Sequence, residues 1–370
     1  MSYIPVNEPL LNGNEKKYLN ECIDSGWISS EGPFIEKFEK NMSRYLGRRY
    51  AVACSSGTAA LDLVVDALDL KKDDEVIMPS FTIISCAQGL VKKGVVPVLI
   101  DSNLKTFNMN VDEIESKITS KTKAIMLVHI FGLSVDVDPI LELANKYNLK
   151  IIEDAAEMLG QEYKGRKCGG FGDISILSFY PNKQVTTGEG GMVLCNDIKL
   201  YERSKYYRNM CFTEDRFIHE DLGYNYRMTN MQAAIGLAQL EKIDDIVTKR
   251  RWVGNLYNEL LNDINGVTLP IQKTSYCENI YWVYTIVLND DHKKSAKEVM
   301  KELEHYQIGT RPFFYPMHKQ PVFRKMKLFL EDNLPNGEKL YKKGFYIPGG
   351  LAITKSQIEE VSKVLHKVLL

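Results

Sequence analysis

From residue 50 onward, short apolar runs rich in β-branched residues alternate with segments of helical period, and this alternation restricts the fold most. The strand candidates are Tyr50–Cys54, Glu75–Met78, Val95–Asp101, Lys123–His129, Lys150–Glu153, Ile174–Ser178 and Gly191–Cys195. Helical patterns at Ala59–Leu68, Ala87–Lys92, Val111–Ile118 and Val137–Tyr147 fall between several of them. Runs that are apolar throughout belong to strands buried on both faces, and strands separated by helices pair in parallel. The expected class is α/β, with a mostly parallel sheet of the seven-stranded type and helices on both faces.

The pattern changes further along. Met228 to about Leu260 reads as one long helix, followed by Pro270 and a strand at Tyr281–Leu288. Asp291–His305 reads as a helix, Gln307–Phe314 as extended chain and Lys355–Leu369 as a final helix. This second pattern is α+β. The change falls near 240–250, so the 370 residues divide into a large α/β domain over 1–245 and a smaller domain over 246–370.

Charge and cysteine usage narrow the function classes. Lys and Arg total 47 against 48 Asp and Glu, which leaves no general handle for nucleic acid or an anionic membrane. Cys22, Cys54, Cys86, Cys168, Cys195, Cys211 and Cys277 are scattered without a CxxC pair, so they read as reduced core thiols. His129, His219 and His318 lack ligand-like spacing, and no metal is expected. No apolar run approaches the roughly 18 residues of a spanning helix. The first eight residues have neither the basic flank nor the apolar stretch of a signal peptide, so a cytoplasmic protein is expected.

Ligands of open α/β sheets lie beyond the carboxyl ends of the strands, which gives three places priority. Cys54-Ser55-Ser56-Gly57-Thr58-Ala59 runs from a strand through a small-residue turn into a helix. Such a turn can receive a phosphate at the helix start, or it can be an ordinary serine N-cap. Ile152-Glu153-Asp154-Ala155-Ala156-Glu157 sets carboxylates at a strand end. Asp154 there could pair with a cationic ring nitrogen, bind a metal, act in acid/base chemistry or cap a helix. Ser178-Phe179-Tyr180-Pro181-Asn182-Lys183 places a lysine in a loop that ends in the glycine-rich Gly188-Glu189-Gly190-Gly191. An enclosed lysine loses its proton more readily and can then form a Schiff base.

A phosphate turn, an acid for a ring nitrogen and a Schiff-base lysine are together what pyridoxal 5'-phosphate (PLP) requires. A dinucleotide site does not fit, because no GxGxxG opens a helix after the first strand.

The same residues carry a family resemblance. Gly57-Thr58-Ala59-Ala60-Leu61, the Asp154 and Lys183 segments, Gly223-Tyr224-Asn225-Tyr226-Arg227 and Arg311-Pro312-Phe313-Phe314-Tyr315 follow one another as in the DegT/DnrJ/EryC1/StrS sugar aminotransferases. The resemblance runs from Ile4-Pro5-Val6 to the final helix, and within the family it is strongest to the GDP-perosamine synthases. It implies PLP enzymes of the aspartate-aminotransferase-like fold (fold type I). By motif, Lys183 would be the Schiff-base lysine and proton shuttle, and Asp154 the partner of the pyridine nitrogen. Glu157 would lie near the cofactor's 3-hydroxyl and Ala156 on a ring face, with Gly57, Thr58 and Ser178 at the phosphate. Asn225 would reach the phosphate of a neighbouring subunit's cofactor, which implies a homodimer with shared sites. Trp27, Ser29, Arg311, Tyr315 and His318 would border the substrate.

Two departures lie at the site. Ile83 stands where the family usually carries a ring stacked on the cofactor, and Pro181 replaces the glycine of the subgroup's FFGNK. The implied activity is transfer of an amino group from L-glutamate to a keto sugar, with GDP-4-keto-6-deoxymannose first, for polysaccharide assembly. Another keto sugar or a small phosphorylated ketone such as dihydroxyacetone phosphate is the alternative acceptor. A PLP-binding regulator without catalysis is the alternative class, disfavoured by the lack of a basic excess or an added DNA-binding unit.

Overall fold

The computed structural model describes residues 3–215 and 217–369. Two helices, α1 (Glu15–Ser25) and α2 (Pro33–Tyr45), precede the first strand. The main sheet comprises β1 (Tyr50–Cys54), β2 (Glu75–Pro79), β3 (Val96–Ile100), β4 (Thr122–Val128) and β5 (Lys150–Asp154). A short hairpin follows, β6 (Glu162–Tyr163) and β7 (Arg166–Lys167), and then β8 (Ile174–Ser178) and β9 (Gly191–Cys195) complete the sheet. Its seven strands run in the order β1-β9-β8-β5-β4-β2-β3. Only β9 is antiparallel to its neighbours.

That exception has a local cause. Parallel neighbours need a crossover, usually a helix, whereas β8 reaches β9 through a loop that closes on itself. Phe179 N–H donates to Gly190 O at 2.8 Å, and Ser178 pairs with Gly191. The other six strands all end at one edge, which gathers the turns after Cys54, Pro79, Val128, Asp154 and Ser178.

Side chains alternate along a strand, so a sheet covered on both sides needs two cores. On β4, Ile125 and Leu127 join Phe38 and Met42 of α2 and Ile140 of α5 (Val137–Tyr147). Ala124, Met126 and Val128 face the other way, onto Leu63 and Val64 of α3 (Gly57–Ala67) and Leu90 of α4 (Ser85–Lys92). The strands are therefore apolar throughout, as their sequence pattern requires.

The chain leaves the sheet through α6 (Ile198–Arg208) and returns through α7 (Asn230–Leu240) and α8 (Ile243–Leu260). The remaining elements are β10 (Val267–Thr268), β11 (Tyr284–Leu288), α9 (Ala296–His305), β12 (Arg311–Pro312), α10 (Pro321–Lys325), α11 (Pro335–Lys343), β13 (Gly344–Ile347) and α12 (Lys355–Leu369). The four strands form an antiparallel sheet in the order β10-β11-β13-β12. Ile286 and Leu288 of β11 pack with Val299, Leu303, Val361 and Leu365 in a third core.

Two expected helices differ. The single helix over Met228–Leu260 is two, because the last turn of α7 tightens where Lys242 N–H bonds back to Gln239 O. The Glu241 carboxylate at this break accepts Tyr18 Oη–H and Asn14 Nδ2–H, both at 2.7 Å. Val111–Ile118 forms two 3₁₀ turns, Val111–Glu113 and Glu115–Lys117, instead of an α-helix. A stretch this short does not offset the cost of helix nucleation and settles for i→i+3 bonds.

Candidate active site

At the carboxyl edge of the main sheet lies a cavity of about 470 Å³, lined from strand ends and from the C-terminal part of the chain. The first wall begins at α3. Ser56 caps this helix by accepting Ala59 N–H at 3.0 Å, which leaves the amides of Gly57 and Thr58 at its positive end. A Cβ on Gly57 would lie 2.8 Å from Ser178 Cβ, so only glycine lets α3 and the end of β8 approach this closely. Thr58 Oγ1 and Ser85 Oγ are 2.9 Å apart beside it. Hydroxyls and free amides around a glycine turn form a cradle suited to a phosphate.

Asp154 ends β5 and is 3% exposed. One carboxylate oxygen accepts Ala156 N–H at 3.0 Å and the other accepts the Cys86 thiol at 3.3 Å. Asp154 caps no helix, for a turn follows it. Burial pushes its pKa up, opposed by these two donors and by Lys183, and it holds the Cys86 thiol firmly protonated. A cationic ring nitrogen in the cavity would supply the missing counter-charge.

Lys183 stands on the loop between β8 and β9. Lys183 N–H bonds to Tyr180 O at 2.9 Å, while Thr186 Oγ1–H and Thr187 N–H both reach Phe179 O at 3.0 Å. The loop is thus folded on its own backbone, and its Nζ lies 3.8 Å from Glu157 Oε1 and 4.0 Å from the centre of the Trp282 ring. Burial pushes the amine's pKa down, against the pull of Glu157 and Asp154. Burial also raises the Glu157 carboxyl to about 7. Both directions favour a neutral pair, and an uncharged amine is the nucleophilic form. Glu157 Oε2 accepts Phe131 N–H at 2.7 Å.

Behind this wall, Glu153 accepts the amides of Gly169 and Phe171 at 2.6 and 2.7 Å, and its Oε1 lies 3.1 Å from His129 Nε2. His129, Glu153 and Cys168 bring three ligand-type atoms within 4.8 Å of one another. Those amides already engage both Glu153 oxygens, and Val135 N–H engages His129 Nδ1 at 3.2 Å. The cluster is a hydrogen-bonded support for the strand ends.

The cavity brings together Gly57, Thr58, Ile83, Asp154, Ala156, Glu157, Ser178 and Lys183. It does not include Asn225, Trp27, Ser29, Arg311, Tyr315 or His318. Asn225 is exposed, and Trp27 and Ser29 are exposed while their carbonyls accept Asn230 Nδ2–H and N–H. Arg311 lies exposed on β12, and Tyr315 packs edge-on against Tyr341. His318 is fully buried between Ser80 Oγ at 2.8 Å and Glu338 Oε1 at 3.2 Å.

Sequence reading missed the opposite wall, Trp282, Phe314 and Tyr346, and the lining residues Thr82, Ser85 and Asn182. Thr82 and Ser85 flank Ile83, and a small-hydroxyl count there could have found them. Phe314 lies within the Arg311–Tyr315 motif, whereas nothing in their own neighbourhood marks Trp282 and Tyr346. Asn182 Oδ1 is buried and has no hydrogen-bond partner, which leaves an acceptor at the cavity edge.

An enclosed lysine, a buried aspartate and an anion-receiving helix start at one cavity define a pyridoxal phosphate enzyme, and the donor set fits that cofactor. The DegT/DnrJ/EryC1/StrS aminotransferase family matches residues 9–366, and the chain belongs to that family. It is thus a PLP-dependent aminotransferase. It is 41% identical to a GDP-perosamine synthase of Escherichia coli O157:H7, over 99% of each chain. Identity is also 41% to a GDP-perosamine synthase of Caulobacter vibrioides, over 99% of this chain and 98% of that one. Its structure is similar to Helicobacter pylori PseC, an aminotransferase of pseudoaminic acid biosynthesis. The TM-score is 0.93 at 25% identity, covering 100% of this chain and 99% of that one. No helix among the described residues is long and apolar enough to cross a membrane.

Proposed function

We propose that this chain transfers the amino group of L-glutamate to a nucleotide-linked keto sugar, GDP-4-keto-6-deoxymannose, in polysaccharide biosynthesis in the cytoplasm. The observation that carries the reading is that Lys183 and Asp154 line one cavity together with the Gly57–Thr58 helix start. The choice of acceptor is supported by the full-length similarity to GDP-perosamine synthases.

Bound PLP supplies an electron sink for the carbon that gains or loses a proton. The residues supply the rest. Gly57, Thr58 and Ser178 would hold the phosphate, Asp154 would keep the ring nitrogen protonated, and Glu157 would lie towards the 3-hydroxyl. Ile83 and Ala156 would bound the ring. Lys183 would hold the cofactor through its amine and, as the free amine, would carry the proton at the reacting carbon.

The proposal includes a homodimer in which Asn225 serves the partner's site and Trp27, Ser29, Arg311 and Tyr315 border the acceptor, while the buried His318 supports their segment from behind through Ser80 and Glu338. Asn225 is exposed, and the segment before it carries Ile218 at 58% and Leu222 at 93% exposure, the kind of surface a second copy would cover. It also includes a division into units 1–245 and 246–370, which falls inside α8.

PLP added to the protein should give a near-UV or visible band that glutamate bleaches, and Lys183→Ala should lose turnover together with the covalent adduct that borohydride traps in the parent. Acceptors are then compared on the glutamate-treated enzyme, GDP-4-keto-6-deoxymannose beside dihydroxyacetone phosphate. Product from the triose phosphate alone would refute the sugar assignment.

A further inference from the structure

A buried cation without a carboxylate calls for a reason, because a desolvated guanidinium is costly unless a partner offsets the loss of water. Arg250 on α8 is 1% exposed, and burial alone acts on its ionisation, lowering the pKa to about 10. Its partners are two backbone carbonyls. Nη1 donates to Gly349 O at 2.6 Å and Nη2 to Asn182 O at 3.2 Å. The Asn182 carbonyl also accepts the Trp282 indole N–H, at 2.8 Å. The peptide held in this way leads directly into Lys183, and the Trp282 ring lies over Lys183 Nζ. Two donors from distant parts of the chain therefore converge on one oxygen, and one of them also walls the amine.

On the assignment of Lys183 made above, we propose that Arg250 and Trp282 are positioning residues for that lysine. They clamp the Asn182 carbonyl and so fix the direction in which the amine enters the cavity, and Arg250 adds a positive field there. An amine rotated out of the cavity by a loose loop would cost cofactor affinity and turnover alike, since both need near-attack geometry.

The groups around the amine act in opposite senses. Glu157 and Asp154 favour the ammonium, as does the indole face. Burial and Arg250 favour the free amine. Deleting the Arg250 charge therefore favours the ammonium, and the amine should titrate at higher pH.

The test uses the full-length chain freed of PLP. Lys183 is labelled by formaldehyde and cyanoborohydride across a pH series, and mass spectrometry reads the peptide that contains it, without any turnover. Arg250→Gln should move the labelling midpoint to higher pH by roughly one unit, a tenfold change in the ionisation equilibrium. Arg250→Lys keeps the charge and should keep the midpoint, but it cannot span both carbonyls and should weaken PLP binding several-fold. Trp282→Phe keeps a ring and removes the N–H, and should also weaken PLP binding several-fold.

An Arg250→Gln curve superimposable on the parent's would overturn the field, and unchanged PLP affinity in both Arg250→Lys and Trp282→Phe would overturn the clamp. Should Arg250→Gln fail to fold, the other two variants decide: a shifted midpoint in Arg250→Lys overturns the field, and retained affinity in both overturns the clamp. Lys183→Ala separates this proposal from the one beneath it. PLP that borohydride still fixes covalently to that variant would refute the Schiff-base assignment and leave the clamp's labelling results standing.

Discussion

The two walls of the cavity are built on different principles. The strand-end wall is polar, and each of its groups is held by backbone: Asp154 by Ala156 N–H, Glu157 by Phe131 N–H, and Lys183 by a loop folded on Phe179 and Tyr180. The opposite wall is aromatic and held by packing. Phe131 is the centre of that packing, with Trp282, Phe314 and Tyr346 at ring distances of 6.0, 5.3 and 6.2 Å. The difference separates two tasks. Groups that exchange protons sit where a rigid sheet fixes them, while bulky rings on the other side exclude water and shift pKa values by burial. Phe131 joins the walls, since its ring belongs to one and its N–H is bonded to Glu157 of the other.

The strand-end wall should be the less forgiving. Asp154→Asn keeps the shape and removes the charge that, on the proposed assignment, would hold a ring nitrogen protonated. Turnover should fall by on the order of 10²-fold or more, while the PLP band persists. Steady-state rates and absorbance on one preparation check this, and a variant as active as the parent would place the cofactor's ring nitrogen elsewhere.

The next largest effect concerns close approach. Gly57→Ala places a methyl 2.8 Å from Ser178 Cβ, so α3 must shift away from β8. Overpacking of this kind costs about 1–3 kcal/mol. A lower melting temperature and weaker PLP binding should result. Ser178→Gly added to Gly57→Ala removes the colliding atom and should recover the melting temperature, though not all of the affinity.

The walls also differed in how readable they were. The strand-end residues arrive as contiguous motifs after apolar runs, so strand, turn and chemistry are adjacent in the chain, and the β8–β9 loop could be recognised whole. Trp282 lies just before a strand, where an aromatic is ordinary, and comes to Lys183 only because a second sheet packs there. Arg250 reads as one more charge on a helix until its burial is known. His318 shows the converse: its segment resembles a substrate-bordering motif, yet both ring nitrogens are engaged inside the protein. Periodicity also passed over the break at Lys242, because a tightened last turn leaves the apolar spacing intact.

Glu157 gives the link between the walls a pH signature. Its pKa in the folded protein is raised from 4.5 to about 7, so the folded state prefers the neutral acid. The stability this contributes is complete below 4.5 and is lost as pH rises through about 7. Urea midpoints of the PLP-free protein should therefore decline across that window. Glu157→Gln, which cannot ionise, should remove that component of the decline. Parallel curves for the two proteins would show that the carboxyl ionises without cost and that burial does not govern it.

The smallest effect tests whether the aromatic task has passed wholly to the C-terminal wall. Ile83 is 46% exposed and lines the cavity on the strand-end side, where the family resemblance leads one to expect a ring. An aliphatic side chain there leaves one face of a planar cofactor with dispersion contacts alone. Ile83→Phe would add an offset ring contact, a gain of about 0.5–1.5 kcal/mol. PLP affinity, read from the absorbance band, should then rise by roughly 2- to 10-fold with little change in melting temperature. If affinity falls instead, Trp282, Phe314 and Tyr346 already fill the space a second ring would need, and Ile83 is what makes room for them.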